Sequence, residues 1–407
     1  MSKIVIITSG QPALNPRLVK EADALVDSGF DVTVIYAYWN QWGKKFNEKL
    51  LTEKSWTAIC AGGDPETDKI VYFLSKVIFK LSKLVSRLSG NKWLAEWAIA
   101  RSGPFISGMA AKQSADLYIG HNLAALPATI NAATKQKKPC GFDAEDFHRY
   151  EVSSDPRHAD VLLKSYIENK YLPELDYLTV SSQPIGESYS KLFPLLHPKV
   201  VRNVFPKSDL GPRITNRPIT PIKLFWFSQT LGSQRGLQEV VRALAQLPPK
   251  KYELHLLCDQ PSYTLSFKDE LIASGVNIKF YDPLPENQIV PFAAQFDVGL
   301  ATEPGFSINN DLALSNKLFT YLQAGLFIVA TATSAQEAFI EQYNQVGLLY
   351  PPGNIDALTQ LLSYLMTDES VIRLGRQAAL ELAQTELNWE TEKHTFLTVV
   401  KQTMANR

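Results

Sequence analysis

The chain has 407 residues, 45% of them hydrophobic and 20% charged, and its basic and acidic side chains balance to a formal net charge of zero. That length allows two or three domains with large cores, and zero net charge excludes a nucleic-acid footprint spread over the whole surface. The three cysteines, Cys60, Cys140 and Cys258, are far apart and odd in number, which suits a reducing compartment better than a disulfide framework or a zinc site. The opening MSKIVIITSG enters a strand directly without a signal-peptide layout, and no apolar run is long enough for a bilayer, so a cytoplasmic protein is expected.

A first block of alternating strands and helices begins with KIVIIT (3–8). A helix follows from Asn15 to Ser28, with Asn15 as cap, Pro16 at the first helical position and Gly29 just past the end. FDVTVIYAY (30–38), DLYIGHN (116–122) and CGFDAED (140–146) read as further strands, with the helix LAALPATINAATKQ between the last two; LDYLTVSS (175–182) and KVVRNVFP (199–206) close the block. The polar, proline-bearing 206–221 reads as a linker. A second block contains IKLFWFS (222–228), YELHLLC (252–258), VNIKFYD (276–282), FDVGLAT (296–302), LFIVAT (326–331) and GLLYP (347–351), separated by helical stretches. Short apolar strands alternating with helices predict parallel sheets covered on both faces, hence two doubly wound α/β domains with a cleft between them.

One segment interrupts this rhythm. From Lys69 to Ala95 there is no acidic residue, whereas Lys69, Lys76, Lys80, Lys83, Arg87 and Lys92 are basic. On a helix, Leu74, Val77, Ile78, Leu81, Leu84, Val85 and Leu88 form an apolar stripe, with Lys76, Lys80, Lys83 and Arg87 opposite; Trp93 and Trp97 follow. Two readings stand: a helix packed on the first domain with a solvated basic face, or a helix lying on an anionic membrane, where each basic residue contributes about 1 kcal/mol. The tryptophans favour the membrane.

In doubly wound sheets ligands bind beyond the carboxyl ends of the strands. SGQPALN (9–15) lacks G-x-G-x-x-G; Gly10 permits close backbone approach, and an ordinary turn fits equally well. His121 in GHN (120–122) suits either a base or hydroxyl partner or a structural histidine. DAEDFHRYE (143–151) offers Asp143, Glu145, Asp146 and His148 as hard-cation ligands, but such strings are common in solvated turns, and no metal is expected. SQTLGSQRGLQE (228–239) places Arg235 at a helix start, suited to a phosphate by charge and fork geometry. LSNKLFTYLQAG (314–325) places Lys317 in the first turn of a helix capped by Ser315 and ended by Gly325. The positive end of a helix dipole disfavours a lysine unless an anion lies between them. Two cations at neighbouring strand–helix mouths point to a pyrophosphate.

With these residues in view, the sequence resembles the GT-B retaining glycosyltransferases of the family 4-like, group 1 type, which includes sucrose synthases and many bacterial mannosyl- and glucosyltransferases. The resemblance covers nearly the whole chain: GQPALNPRLVKEADALVDSGFDVTVIY matches the N-terminal strand–helix–strand, and FDVGLATEP through LSNKLFTYLQAGLFIVAT to GLLYPPGNIDALTQLL matches the donor-binding stretch. The terminal LNWETEKHTF, with Trp389 and Glu390, resembles the last helix that crosses back to the first domain. The resemblance implies an N-terminal acceptor domain (1–205) carrying the basic helix 69–97, a linker (206–221), a donor domain (222–385) and a returning helix (386–407).

Carried over by position, Arg235 occupies the place of the basic residue before glycine in the K-G motif, and Gln229 that of its other basic residue. Lys317 and Asn316 match the lysine and asparagine of L-P-N-K-x-F-E-Y. Glu303 resembles the acidic residue that contacts donor-sugar hydroxyls, and His121 the histidine that faces the transferred sugar. Two departures stand out: Gln229 removes one charge from the phosphate clamp, and the glutamate pair of E-x-x-x-x-x-x-x-E falls on Leu312 and Thr320, the second normally holding the ribose. The implied activity is transfer of a hexose from a nucleotide diphosphate sugar to a saccharide or lipid-linked saccharide, with retention. No metal or cofactor is required, and the partners include peripheral contact with an anionic membrane on the inner face of the plasma membrane. A GT-B-type sugar-nucleotide 2-epimerase and a non-catalytic relative that binds a glycan or partner are the alternatives.

Overall fold

The computed structural model describes residues 1–207 and 218–406. They form two compact units, one comprising 1–202, 307–309 and 393–406, the other 203–207, 218–306 and 310–392. The first boundary thus falls at 202 rather than 205. The terminal helix Trp389–Ala405 changes unit at 393 rather than wholly at 386. Most of the expected linker lies outside the described residues.

The first unit is built on seven parallel strands: β1 Lys3–Thr8, β2 Asp31–Ala37, β3 Thr57–Ala61, β4 Leu117–His121, β5 Cys140–Ala144, β6 Tyr177–Val180 and β7 Lys199–Val200. Their order is β3-β2-β1-β4-β5-β6-β7, so chain direction across the sheet reverses between β1 and β4. β1 and β4 are buried along nearly their whole length, as near-continuous apolar runs in a sheet covered on both faces must be. The helix after β1 runs Pro16–Asp27, with the Asn15 side chain accepting from Leu18 N at 3.0 Å. The helix Gln41–Thr52 and β3 are among the elements not evident from sequence; β3 is a short edge strand exposed on part of its length and therefore without a clear apolar pattern. The strand expected at 199–206 stops at Val200, because β6 ends at Val180 and leaves no further backbone to pair.

The basic segment forms the helix Lys69–Leu88, capped by Asp68, and not a continuous helix to 97. Gly90, Asn91 and Leu94 all adopt left-handed backbone, which breaks the helix before the short turn Ala95–Ala98. Its orientation inverts the packed-helix expectation. Ser75, Ser82 and Ser86 face the interior, whereas Leu74, Val77, Leu81, Leu84 and Leu88 face outward on the same side as Lys76, Lys80, Lys83 and Arg87. Arg101 explains the polar interior side: its guanidinium donates to Ser75 Oγ at 2.5 Å and to the carbonyls of Gly62 and Tyr38.

The second unit carries six parallel strands: β8 Ile222–Thr230, β9 Tyr252–Asp259, β10 Ile278–Tyr281, β11 Val298–Ala301, β12 Phe327–Thr331 and β13 Gly347–Tyr350. Their order is β10-β9-β8-β11-β12-β13, with the reversal between β8 and β11. Leu224, Trp226, Leu254, Leu256, Val298, Leu300, Phe327 and Val329 form the centre of its core. The helix Asn316–Ala324 seats closely on the sheet because Gly299 has no side chain: a Cβ there would lie 2.3 Å from the Tyr321 ring. Tyr321 Oη donates to the Leu300 carbonyl at 2.8 Å, and Gly325, left-handed at φ 65°, ends the helix.

Candidate functional site

Strand-order reversal leaves a crevice beyond the carboxyl ends of the two strands that flank it. In the first unit these are β1 and β4, and a cavity of about 390 Å³ lies there, lined by Gly10, Gln11, Asn15, Asn122, Glu145, Asp146, His148 and Glu151 among others. Gly10 borders it with open space where a Cβ would stand. Asn122 is a site residue that sequence reasoning missed. It holds φ +65° without being glycine, and its Oδ1 accepts from Thr8 Oγ1 at 2.7 Å, so β1 and β4 together fix a strained residue at the cavity wall.

The same cavity wall carries unusual protonation. Burial, with the neighbouring Asp146 charge, pushes the Glu145 carboxyl up to about 7. His148 is buried, which opposes its charged form, but the Glu151 carboxylate at its Nδ1 overrides burial and raises it to about 8. Glu151 is drawn down to about 2 against its own burial by His148 and by Lys164, whose Nζ lies 2.6 Å away. His148 Nε2 is buried without a hydrogen-bond partner.

His121 does not line this cavity. It is 1% exposed, with Nε2 3.1 Å from Glu21 Oε2 in an ion-pair contact that lacks hydrogen-bond alignment, and Nδ1 3.6 Å from Asp143 Oδ2. Arg17 clasps Asp143 in a fork, Nε to Oδ2 at 2.5 Å and Nη2 to Oδ1 at 2.6 Å, while Thr179 Oγ1 donates to Oδ1 at 2.6 Å. Burial works against charge on the histidine, but Glu21 and Asp143 raise it above its ordinary range. The sugar-facing role implied for His121 is therefore corrected: the ring is enclosed with Arg17, Glu21 and Asp143. Arg17 and Glu21, four apart on the helix Pro16–Asp27, were the available signal, being charges on the face that otherwise carries Leu18, Ala22 and Leu25.

The expected carboxylate string separates for the same reason. Asp143 faces Arg17 and His121, whereas Glu145 and Asp146 face the cavity. Glu21, His121 and Asp143, and likewise Asp146, His148 and Glu151, bring three ligand-type atoms together. Arg17 already pairs with Asp143 in the first set and Lys164 with Glu151 in the second, and each would compete with a bound cation.

In the second unit the reversal sets the loops after β8 and β11 side by side. Gly236, left-handed at φ +72°, carries the chain from Arg235 into the helix Leu237–Ala245, and a Cβ there would lie 2.5 Å from the Thr302 carbonyl. Thr302 Oγ1 donates to the Arg235 carbonyl at 2.7 Å, tying the two loops. Glu303 follows. Its Oε1 accepts from Lys317 Nζ at 2.5 Å and from Ser315 Oγ at 2.8 Å, and the Thr331 hydroxyl holds its carbonyl at 2.7 Å. Burial pushes the Glu303 carboxyl up, but Lys317, Ser315 and the charge of Arg235 hold it below the usual carboxylate range.

Arg235, Glu303 and Lys317 are thus brought together, and the anion next to Lys317 in this structure is the Glu303 carboxylate. Ser315 caps the helix in position only, because its hydroxyl is engaged by Glu303. Asn316 and Gln229 are exposed, whereas Thr320 is 2% exposed, inside the packing of the helix. Gly10 belongs to the cavity of the first unit.

Residues 222–368 match the profile of the family described as Glycosyl transferases group 1. Sucrose-phosphate synthase from Thermosynechococcus elongatus superposes with a TM-score of 0.71 at 13% identity, over 100% of both chains. HepE of Anabaena, solved in complex with UDP, gives 0.69 at 14% identity, over 99% of this chain and 100% of its own. WaaG, a glycosyltransferase involved in lipopolysaccharide biosynthesis, gives 0.64 at 13% identity, over 96% and 98%. No curated protein sequence matches the chain. Two parallel Rossmann-like sheets, each reversing strand order next to a polar crevice, define a protein of the GT-B fold. Residues 222–368 of the second unit are those of a glycosyl transferases group 1 domain.

Proposed function

We propose that the enzyme transfers a hexose, with retention, from a nucleotide diphosphate sugar bound by the second unit to a saccharide or lipid-linked saccharide bound by the first. The observation that carries the reading is the convergence of Arg235, Glu303 and Lys317 at the strand reversal of the group 1 domain. Cleavage of the sugar–phosphate bond leaves negative charge on the diphosphate. Two cations and the amides at a helix start, fixed before the reaction, stabilise that charge as it develops, and loss of one such donor typically costs about 3–4 kcal/mol. Side chains supply this stabilisation without a metal in the scheme.

Glu303 has two tasks here. Without donor it keeps Lys317 oriented, and with donor its second oxygen is available to the sugar hydroxyls. Neighbouring HepE is solved with UDP and with UDP-glucose, which supports a uridine diphosphate sugar as the first donor to try. The cavity beside Asn122 and Glu145 suits a saccharide: Trp39, Ile99 and Leu123 give it apolar walls, and its carboxyl and amide groups pair with hydroxyls. Work at the inner face of the plasma membrane, in surface polysaccharide or glycolipid assembly, follows from a lipid-linked acceptor and from the outward apolar helix.

One observation favours a second reading, a non-catalytic relative. Thr320 is a short buried side chain where a ribose-holding glutamate would stand, and Gln229 is uncharged. Calorimetric titration with UDP, GDP and ADP separates the two. Binding of one diphosphate, lost in Arg235→Ala and Lys317→Ala, supports transfer; no binding to any supports the non-catalytic relative. A nucleotide-sugar panel scored for transfer then names the donor.

A further inference from the structure

Amphipathic helices ordinarily bury the apolar side. The helix Lys69–Leu88 does the reverse. Its serines pack inward, while the outward stripe that includes Phe73, Leu74, Leu81, Leu84 and Leu88 is between 38% and 79% exposed at every large hydrophobic position. Lys76, Lys80, Lys83 and Arg87 are also exposed, and no acidic residue lies anywhere on the helix. We propose that the first unit docks on an anionic lipid surface through this outward face, with the apolar stripe entering the headgroup boundary and the basic residues meeting lipid phosphates.

Three further observations fit the same occupant. Trp39, Trp42 and Trp93 are each at least 60% exposed, and tryptophan concentrates at membrane interfaces because one ring combines apolar area with a polar N–H. Trp42 lies on the helix Gln41–Thr52, which is tied to the approach to the basic helix: Gln41 donates to Glu66 at 2.8 Å and Lys44 reaches Glu66 at 2.7 Å, two residues before the Asp68 cap. At the other end of the helix, a cavity of about 630 Å³ is lined by Lys83, Arg87, Leu84, Leu162 and Asp160 among others, and the Asp160 carboxylate is paired with Lys164, which leaves Lys83 and Arg87 beside apolar walls for a phosphate headgroup with acyl chain.

A second copy of the chain fits less well. Two such faces brought together would set Lys76, Lys80, Lys83 and Arg87 of each against those of the other, with no carboxylate on the helix to offset the repulsion. Among the described residues no helix is long and apolar enough to cross a membrane, so the contact lies along the surface.

The docking deepens the lipid-linked acceptor reading and rests on it for its purpose, but its test uses no donor. The full chain is sedimented with vesicles of phosphatidylcholine alone and of phosphatidylcholine with phosphatidylglycerol. Binding to the anionic vesicles, weakened by salt and at least tenfold weaker to the neutral ones, is expected. Leu81→Glu with Leu84→Glu, both already in solvent, should lower vesicle partitioning at least tenfold with an unchanged melting temperature. Replacing Lys76, Lys80, Lys83 and Arg87 by Gln should abolish the preference for anionic lipid. No binding by the wild-type chain, or binding untouched by either set, overturns the proposal. So does a wild-type dimer that the Glu pair turns into a monomer without loss of vesicle binding. UDP titration of the same variants reads the donor site separately, so failure there strikes the transferase reading and not the docking.

Discussion

The two units carry the same topological crevice and load it differently. In the first, Arg17 and His121 meet Glu21 and Asp143, and all four are sealed from solvent. In the second, Lys317 pairs with Glu303, and Arg235 acts on the same carboxylate by its charge, two cations for one carboxylate. The first set is closed and holds β4 and β5 to the helix Pro16–Asp27; the second lies at a helix start and carries one cation more than carboxylate. Enclosure at equivalent places in the fold therefore distinguishes the scaffold from the proposed donor site.

The comparison predicts opposite consequences of removing a cation. Arg17→Met should act on stability, because it strands two buried carboxylates, and breaking a buried pair costs about 3–5 kcal/mol. Chemical denaturation would show it, and a variant as stable as wild type would end the scaffold reading. Lys317→Ala breaks a pair that keeps more solvent access, so it should cost less stability than Arg17→Met, and it should lower transfer about 10²–10³-fold, read in kcat under donor saturation. A loss confined to KM would mean that Lys317 binds donor without stabilising the departing diphosphate.

Protonation sharpens the contrast further. His148 is held at about 8 when folded, above its ordinary value of 6.5. Its pairing therefore stabilises fully below about pH 6.5 and fades as pH rises through 8. The difference of about 1.5 units is worth about 2 kcal/mol. Glu145, raised from 4.5 to about 7, works in the same direction, because its neutral form is the one the fold accepts. Melting temperature should fall from pH 6 to 9, and His148→Gln should flatten the curve. The second unit has no such buried histidine next to its site residues, so donor affinity should change little over the same range.

Glycine gives the smallest pair of effects. Gly236→Ala meets a left-handed backbone and the Thr302 carbonyl, and should destabilise by about 1–3 kcal/mol while displacing Arg235. Gly10→Ala meets open space and should change stability by less than about 0.5 kcal/mol, with any effect appearing in acceptor KM.

Legibility from sequence followed whether the signal was local. The two strand–helix blocks, the Asn15 cap, the Gly325 stop and the cations at helix starts were readable, because strand periodicity and helix-end chemistry act over a few residues. The helix Gln41–Thr52 and β3 were missed, since an edge strand needs only half an apolar pattern. Gly299 matters only through a ring that arrives 22 residues later in the chain. His121 was placed by motif and corrected by its neighbours: only assembly of β1, β4, β5 and the helix Pro16–Asp27 sets Glu21 and Asp143 against it.

The sequence by itself thus determined the α/β class, the two blocks and the chemistry at each loop, since these depend on spacing along one segment. Tertiary structure alone decided which face of the basic helix meets solvent, that Glu303 is the partner of Lys317, and that His121 is enclosed. The physical reason is the same in each case: burial and charge pairing depend on groups far apart in the chain, and their energies exist only once the sheets bring those groups together.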